Sequence, residues 1–278
     1  TYKVLREKNR DNMNIQFLLR LLPAGLAAGI ITKLARKRFQ YKARPDELSW
    51  LATGERFEYG ENMYAWKWGA GPLVILVHGW GGAAAQWYKI APLLVQNGFA
   101  VVTPDITGHG DSKGTDIRFD YFYKDLKVLI DFLEADEIHC FIGHSAGGLA
   151  MMAGRALCSL RARNYLCIAT PSTPYPPIKI VKRKLNPSEK ALRYFKQHLA
   201  AQFLHDWDEI PEMSFRREAN SEFLLIYDEN DRYLNPGDLG TILKYWPDAQ
   251  THKVRDIGHE GMIKDKDIAG KIVSFLKD

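Results

Sequence analysis

Eight short β-like runs punctuate this chain of 278 residues: Glu55–Tyr59, Met63–Trp68, Leu73–His78, Ala100–Pro104, Ile138–Ile142, Tyr165–Ala169, Phe223–Tyr227 and Thr251–Ile257. The first two alternate apolar and polar positions, which suits an antiparallel edge hairpin turning at Gly60-Glu61-Asn62. The later runs read as continuous and Val/Ile/Leu-rich, the pattern of strands covered by helices on both faces. Helical spacing fills the intervals, over Ala84–Asn97 (stopped by Gly98), Tyr121–Ala135, Gly147–Arg161 and Asp265–Lys277. Strand and helix alternate through most of the chain. The pattern therefore predicts a mostly parallel, doubly wound, eight-stranded α/β sheet.

One stretch breaks that rhythm. Residues 171–219 open on Pro171-Ser172-Thr173-Pro174-Tyr175-Pro176-Pro177 and then run polar and helical. A segment of this length between two central strands reads as an insertion with helices of its own. It divides the core into residues 55–170 and 220–278. Within it Phe195, Leu199, Phe203, Leu204 and Trp207 recur near helical spacing and are expected to form its inner face.

Charge changes the picture only locally. The net charge is +5, but residues 1–44 hold eleven Lys/Arg against Glu7 and Asp11, so the remainder is mildly acidic. The folded body therefore gives no footprint for nucleic acid. Residues 1–54 read as a basic, amphipathic, helical extension, with Met13-Asn14 resembling a start. Its apolar part, Ile15–Thr32, is interrupted by Arg20 and Pro23, and the unbroken Leu21–Thr32 is shorter than the ~20 residues of a spanning helix. Two readings of residues 14–38 stay open: peripheral contact with an anionic membrane surface, or packing on the body or a partner subunit. A true anchor or a cleaved signal is the minor alternative. The insertion has a second basic run, Lys179, Lys182, Arg183, Lys184, Lys190, Arg193 and Lys196, opposed only by Glu189. It reads as a solvated helix face, or as one that steers acidic substrates or meets anionic lipid.

Cys140, Cys158 and Cys167 show no C-x-x-C spacing and read as buried, reduced thiols of a cytoplasmic protein. There is no zinc-type His/Cys cluster, so no metal or cofactor is expected.

The chemistry gathers at strand ends. Gly143-His144-Ser145-Ala146-Gly147 lies between an apolar run and a helical one, the context of a G-x-S-x-G nucleophile elbow. Gly143 and Gly147 leave room for a turn too tight for side chains, and Ser145 projects its hydroxyl. Serine is a poor nucleophile without a base, and the base needs an orienting carboxylate. His259, between Gly258 and Glu260-Gly261 after the last strand, is the candidate base. Asp231, in Asp228-Glu229-Asn230-Asp231, is the candidate orienter, with Asp228 as the alternative that binds turn amides instead. His78-Gly79-Trp80-Gly81-Gly82 follows the third strand. Its glycines Gly79 and Gly81 let backbone amides turn inward, so the N–H groups of Trp80 and Ala146 are the candidate oxyanion donors. Phosphate cradling by this loop lacks the spacing it requires.

The H-G-W-G-G, G-H-S-A-G-G, D-E-N-D and G-H-E motifs, in that order, resemble those of the α/β-hydrolase superfamily from about Arg56 onward. Thr107-Gly108-His109-Gly110-Asp111-Ser112 is similar to a loop many members carry after the fourth strand, with His109 structural. The resemblance implies that residues 171–219 are a cap. It also implies a serine carboxylesterase acting on a small ester or acyl substrate. Thioesterase, acylglycerol lipase, C–C bond hydrolase and cofactor-free peroxidase activities share the same motifs. Members with an aspartate nucleophile, such as epoxide hydrolases, differ at Ser145. A non-catalytic binding protein on this fold would be expected to lack a member of the triad, and none is missing here.

Overall fold

The computed structural model describes residues 15–38 and 41–277. Its centre is an eight-stranded sheet in the order β1-β2-β4-β3-β5-β6-β7-β8. The strands are β1 (Glu55–Gly60), β2 (Met63–Trp68), β3 (Leu73–Val77), β4 (Ala100–Pro104), β5 (Cys140–His144), β6 (Asn164–Ile168), β7 (Glu222–Asp228) and β8 (Gln250–Val254). β1 and β2 form the expected antiparallel hairpin, and β2 joins β4 antiparallel. Every other pairing is parallel.

Within β3, Ile75 and Val77 face one apolar cluster and Val74 and Leu76 the other. Successive residues point to opposite faces, so a strand buried on both sides must be apolar at every position. The first cluster packs the sheet against helices α4 (Phe119–Leu133), α5 (Ala146–Cys158), α8 (Ile210–Phe215) and α9 (Asp238–Tyr245). The second packs it against α3 (Ala91–Gln96) and α10 (Lys266–Lys277).

Two elements depart from expectation. Ala84–Asn97 is not one helix but a 3₁₀ turn, Ala84–Trp87, followed by α3. Pro92 lacks an N–H and its ring opposes the carbonyl four residues back, so the helix can only start beside it. The last strand is neither apolar throughout nor as long as expected. β8 ends at Val254, is largely exposed, and carries Lys253, which pairs with Glu229. It is the sheet edge, where charge discourages further pairing.

Between β6 and β7 the chain forms α6 (Tyr175–Leu185), α7 (Glu189–Ala200), a 3₁₀ turn at Ala201–Phe203, and α8. Phe195, Leu199 and Phe203 are buried as expected, whereas Leu204 is exposed at the left-handed end of the turn and Trp207 is half-buried. Arg155 of α5 ties this segment down. It is buried and donates to the carbonyls of Ser214 (3.3 Å) and Arg216 (2.7 Å), with its guanidinium over the rings of Tyr165 and Trp246.

Residues 15–21 are helical, and α1 (Ala24–Ala35) follows after the break at Pro23. Leu19, Ala27, Ala28 and Ile31 are buried in the same cluster as Leu192, Phe195 and Leu199 of α7. Thr32 Oγ1 and His198 Nδ1 meet at 2.8 Å. α2 (Pro45–Leu51) holds the fully buried Glu47, which accepts from the Arg44 amide and the Tyr41 hydroxyl. The suggested start at Met13 lies outside the described residues, as does residue 14.

Candidate active site

Ser145 sits between β5 and α5 with φ 53° and ψ −120°, a conformation that a residue with a side chain adopts only under constraint. The constraint is steric. A Cβ on Gly147 would overlap the His78 carbonyl oxygen, and one on Gly143 would run into the Gly148 backbone. The elbow therefore closes only with glycine at both positions. Ser145 N donates to Ile168 O at 2.9 Å, locking the turn to β6.

The loop after β3 passes directly beside it. A Cβ built on Gly79 would stand 3.2 Å from the Ser145 Cβ, and Gly81 takes φ 72°. His78 holds this loop. Its Nε2 accepts from the Ile106 amide at 3.1 Å, so its Nδ1 carries the proton and donates to Gly79 O at 2.8 Å. Among the described residues neither the Trp80 nor the Ala146 amide donates to a protein acceptor. The Trp80 ring lies 4.8 Å from that of Phe119, which lies 5.3 Å from Phe203 of the segment between β6 and β7.

The loops after β7 and β8 bring the acid and the imidazole together. His259 Nδ1 donates to Asp231 Oδ2 at 2.6 Å, so Nε2 keeps its lone pair. Asp231 Oδ1 in turn accepts from the Tyr233 amide at 2.8 Å. Asp228 does different work, accepting from the amides of Gly258 (2.7 Å), Asn230 (2.9 Å) and Asp256 (3.1 Å). Burial pushes its carboxyl up, but these amides outweigh burial and hold it below the usual carboxylate range. Of the two aspartates, Asp231 is the one that holds the imidazole and Asp228 shapes the loop that carries it.

Sequence reasoning missed two residues that fix His259. His144 Nε2 donates to the His259 carbonyl at 2.9 Å, and its ring lies 4.8 Å from the His259 ring. Tyr233 lies at the same ring distance, 4.8 Å. The signal for His144 was its position just before Ser145, which makes it the tether between the elbow and the base. Among the described residues no hydrogen bond joins Ser145 Oγ to His259 Nε2 in this conformation, and neither atom has another protein partner. Such bonds commonly tighten only when substrate is bound.

A cavity of about 310 Å³ borders Asp231, lined by Thr170, Tyr227, Leu234, Leu239 and Ile242 among others, but not by Ser145.

The other histidines near the rim are poor bases. Burial drives His144 down to about 3, reinforced by the neighbouring His259 charge. Burial takes His109 down to about 4 and His78 well below 6.5. His109 is fully buried, with Nδ1 3.2 Å from Thr107 O. These shifts make stability depend on pH. Each imidazole binds its proton more readily unfolded, so acidification below the unfolded value of 6.5 favours unfolding. Asp105 and Asp125 oppose this, because burial raises both from 3.8 to about 6 and they gain protons first in the folded state. Three imidazoles with wide gaps outweigh two carboxylates. Tm is expected to fall between pH 7 and pH 5 in a calorimetric scan, and a flat or rising Tm would contradict the assignment of neutral buried imidazoles.

Residues 72–188 match the alpha/beta hydrolase fold family. A soluble epoxide hydrolase of Corynebacterium sp. is 33% identical over 91 residues, 32% of this chain and 31% of that protein. Methylesterase 9 of Arabidopsis thaliana is 29% identical over 116 residues, 40% of this chain and 45% of that protein. The matched stretches thus span less than half the length of these relatives. Among solved structures, a monoacylglycerol lipase of Paleococcus ferrophilus superposes with a TM-score of 0.61 at 19% identity, over 78% of this chain and 98% of that one.

Proposed function

The chain belongs to the α/β-hydrolase superfamily, and from that premise we propose that it is a serine hydrolase cleaving carboxylic esters through an acyl-enzyme on Ser145. The observation that carries this reading is the 2.6 Å His259–Asp231 pair, with a free Nε2 lone pair, whose His259 carbonyl accepts from His144, the residue just before a strained serine.

In the proposed cycle, Ser145 Oγ attacks the ester carbonyl carbon while its proton passes to His259 Nε2. Asp231 stabilises the imidazolium without taking the proton. Charge on the carbonyl oxygen is received by the Trp80 and Ala146 amides, each such donor being worth about 3 kcal/mol of barrier. His259 then protonates the leaving alkoxide. A water then gives its proton to the same Nε2 while its oxygen attacks the acyl carbon, and Nε2 returns that proton to Ser145 Oγ as the acyl–serine bond breaks and the carboxylic acid leaves. Chain, ester and water supply every atom, so no metal or cofactor is needed. Residues 171–219 act as the cap, and the Trp80–Phe119–Phe203 stack supports this by linking the oxyanion loop to it.

Epoxide opening is disfavoured by the same residue. A serine oxygen attacking an epoxide carbon would leave an ether, which water does not cleave, whereas an acyl carbon gives an ester that turns over. The test is hydrolysis of p-nitrophenyl esters of graded acyl length in buffer with a chelator. Turnover of at least one ester that survives chelation is expected. No turnover of any chain length would overturn the proposal.

A further inference from the structure

Six of the large apolar side chains that the protein leaves exposed fall within residues 15–35: Phe17, Leu18, Leu21, Leu26, Ile30 and Leu34. Their concentration is not an accident of a loose helix. In α1 the positions Ala27, Ala28, Ile31 and Thr32 are buried against the cap, while Leu26, Ile30 and Leu34, at helical spacing, lie on the opposite side. The segment is thus apolar on two faces, and the described residues cover only one of them. No described helix is long and apolar enough to cross a membrane.

The charge around the open face indicates its partner. Residues 15–38 contain Arg20, Lys33, Arg36, Lys37 and Arg38 and no acidic residue. At the C-terminal end, Lys33, Lys37 and Arg38 are exposed within a turn or so of Leu34. At the other end, Gln16 Nε2 donates to Lys184 O and Arg20 Nε to Asn186 O, each at 3.0 Å. These bonds bring residues 15–21 against the α6–α7 turn, where Lys182, Arg183 and Lys184 are exposed. Lys190 and Arg193 of α7 are exposed as well. An apolar strip flanked by cations at both ends matches an interface with hydrocarbon beneath anionic headgroups. A second copy of the same surface would oppose cations to cations.

We propose that the outer face of residues 15–35, with the basic turn of the cap, docks this protein on the surface of an anionic lipid bilayer without crossing it. The inference goes beyond the ester chemistry and does not require Ser145 to be a nucleophile. It makes the N-terminal helices a two-sided adaptor, with Leu19 and Ile31 gripping the cap and Leu21, Leu26 and Ile30 gripping lipid.

The test is co-sedimentation of the full chain with vesicles of phosphatidylcholine alone or mixed with phosphatidylglycerol, at low and high salt. Three proteins are compared: wild type, Leu21→Asp/Leu26→Asp/Ile30→Asp, and Arg183→Glu/Lys184→Glu. All substituted residues are exposed, and an unchanged melting temperature verifies folding. Wild type is expected in the pellet only with the anionic vesicles, with a partition coefficient that falls with salt. Each variant should lose about tenfold or more of that partitioning. Wild type left in the supernatant with anionic vesicles, or equal pelleting of all three proteins, would overturn the proposal. So would a wild-type dimer, seen by size exclusion, that the aspartate variant dissolves while vesicle binding is absent. Ester turnover measured in parallel without vesicles keeps this outcome separate from that of the hydrolase proposal.

Discussion

Ser145→Ala is expected to lower kcat for ester hydrolysis about ten-thousand- to million-fold while leaving the melting temperature nearly unchanged. The fold should tolerate it because the strain at this position belongs to the backbone. The φ of 53° is imposed by the packing around Gly143 and Gly147, and the alanine keeps the Cβ already accommodated there. The Trp80 and Ala146 amides and the His259–Asp231 pair also remain. What disappears is the oxygen that would bond to the acyl carbon, and with it the two-step route. A variant retaining a tenth of wild-type turnover would assign the nucleophile elsewhere. Steady-state kinetics on an ester the wild type turns over, with a melting curve as control, decide the matter.

Asp231→Asn carries the second largest effect, a fall in kcat of about ten-thousand-fold with little change in KM. The carboxylate accepts the Nδ1 proton of His259 at 2.6 Å, and that bond fixes which ring nitrogen is free. An asparagine amide can donate to Nδ1 instead. The proton then moves to Nε2, and the imidazole no longer offers a base at that nitrogen. Asp228→Asn is the informative contrast, because its carboxylate serves the amides of Gly258, Asn230 and Asp256 rather than the imidazole. It should lower the melting temperature by loosening the His259 loop and reduce kcat by no more than about a hundredfold. If the two variants exchanged phenotypes, the division of labour between these aspartates would be wrong.

The legibility of this protein in its sequence follows from how local each determinant is. Parallel strands buried on both faces announce themselves, since β3 must be apolar at Val74, Ile75, Leu76 and Val77 alike. The elbow was legible because its five-residue signature lies between a strand and a helix, although the clash that keeps Gly147 a glycine comes from the distant His78 carbonyl. The edge strand β8 was expected to run on to Ile257 as an apolar strand, although Val254 and Ile257 are the only aliphatic residues of Thr251–Ile257. That pattern does not reveal where pairing with β7 stops. The helix expected over Ala84–Asn97 failed at Pro92, a local signal that apolar periodicity obscured. Contacts between distant segments were invisible. Nothing in one dimension brings His144 to the His259 carbonyl, Phe203 to Phe119, or Ile31 to the helices between β6 and β7. Each depends on how loops and helices return over the sheet. Leu204 shows the reverse error, since helical spacing assigned it to an inner face that the left-handed turn at Leu204 itself removes.

The most direct test of the central claim, that Ser145, His259 and Asp231 act as one nucleophilic unit, is the mass of the protein after exposure to a fluorophosphonate. A single phosphonyl group is expected, mapped to the peptide containing Ser145. Labelling should slow sharply in Asp231→Asn, because attack on phosphorus needs the same base and the same orienter. An unlabelled wild type, or a label on any other residue that persists in Ser145→Ala, would contradict the account.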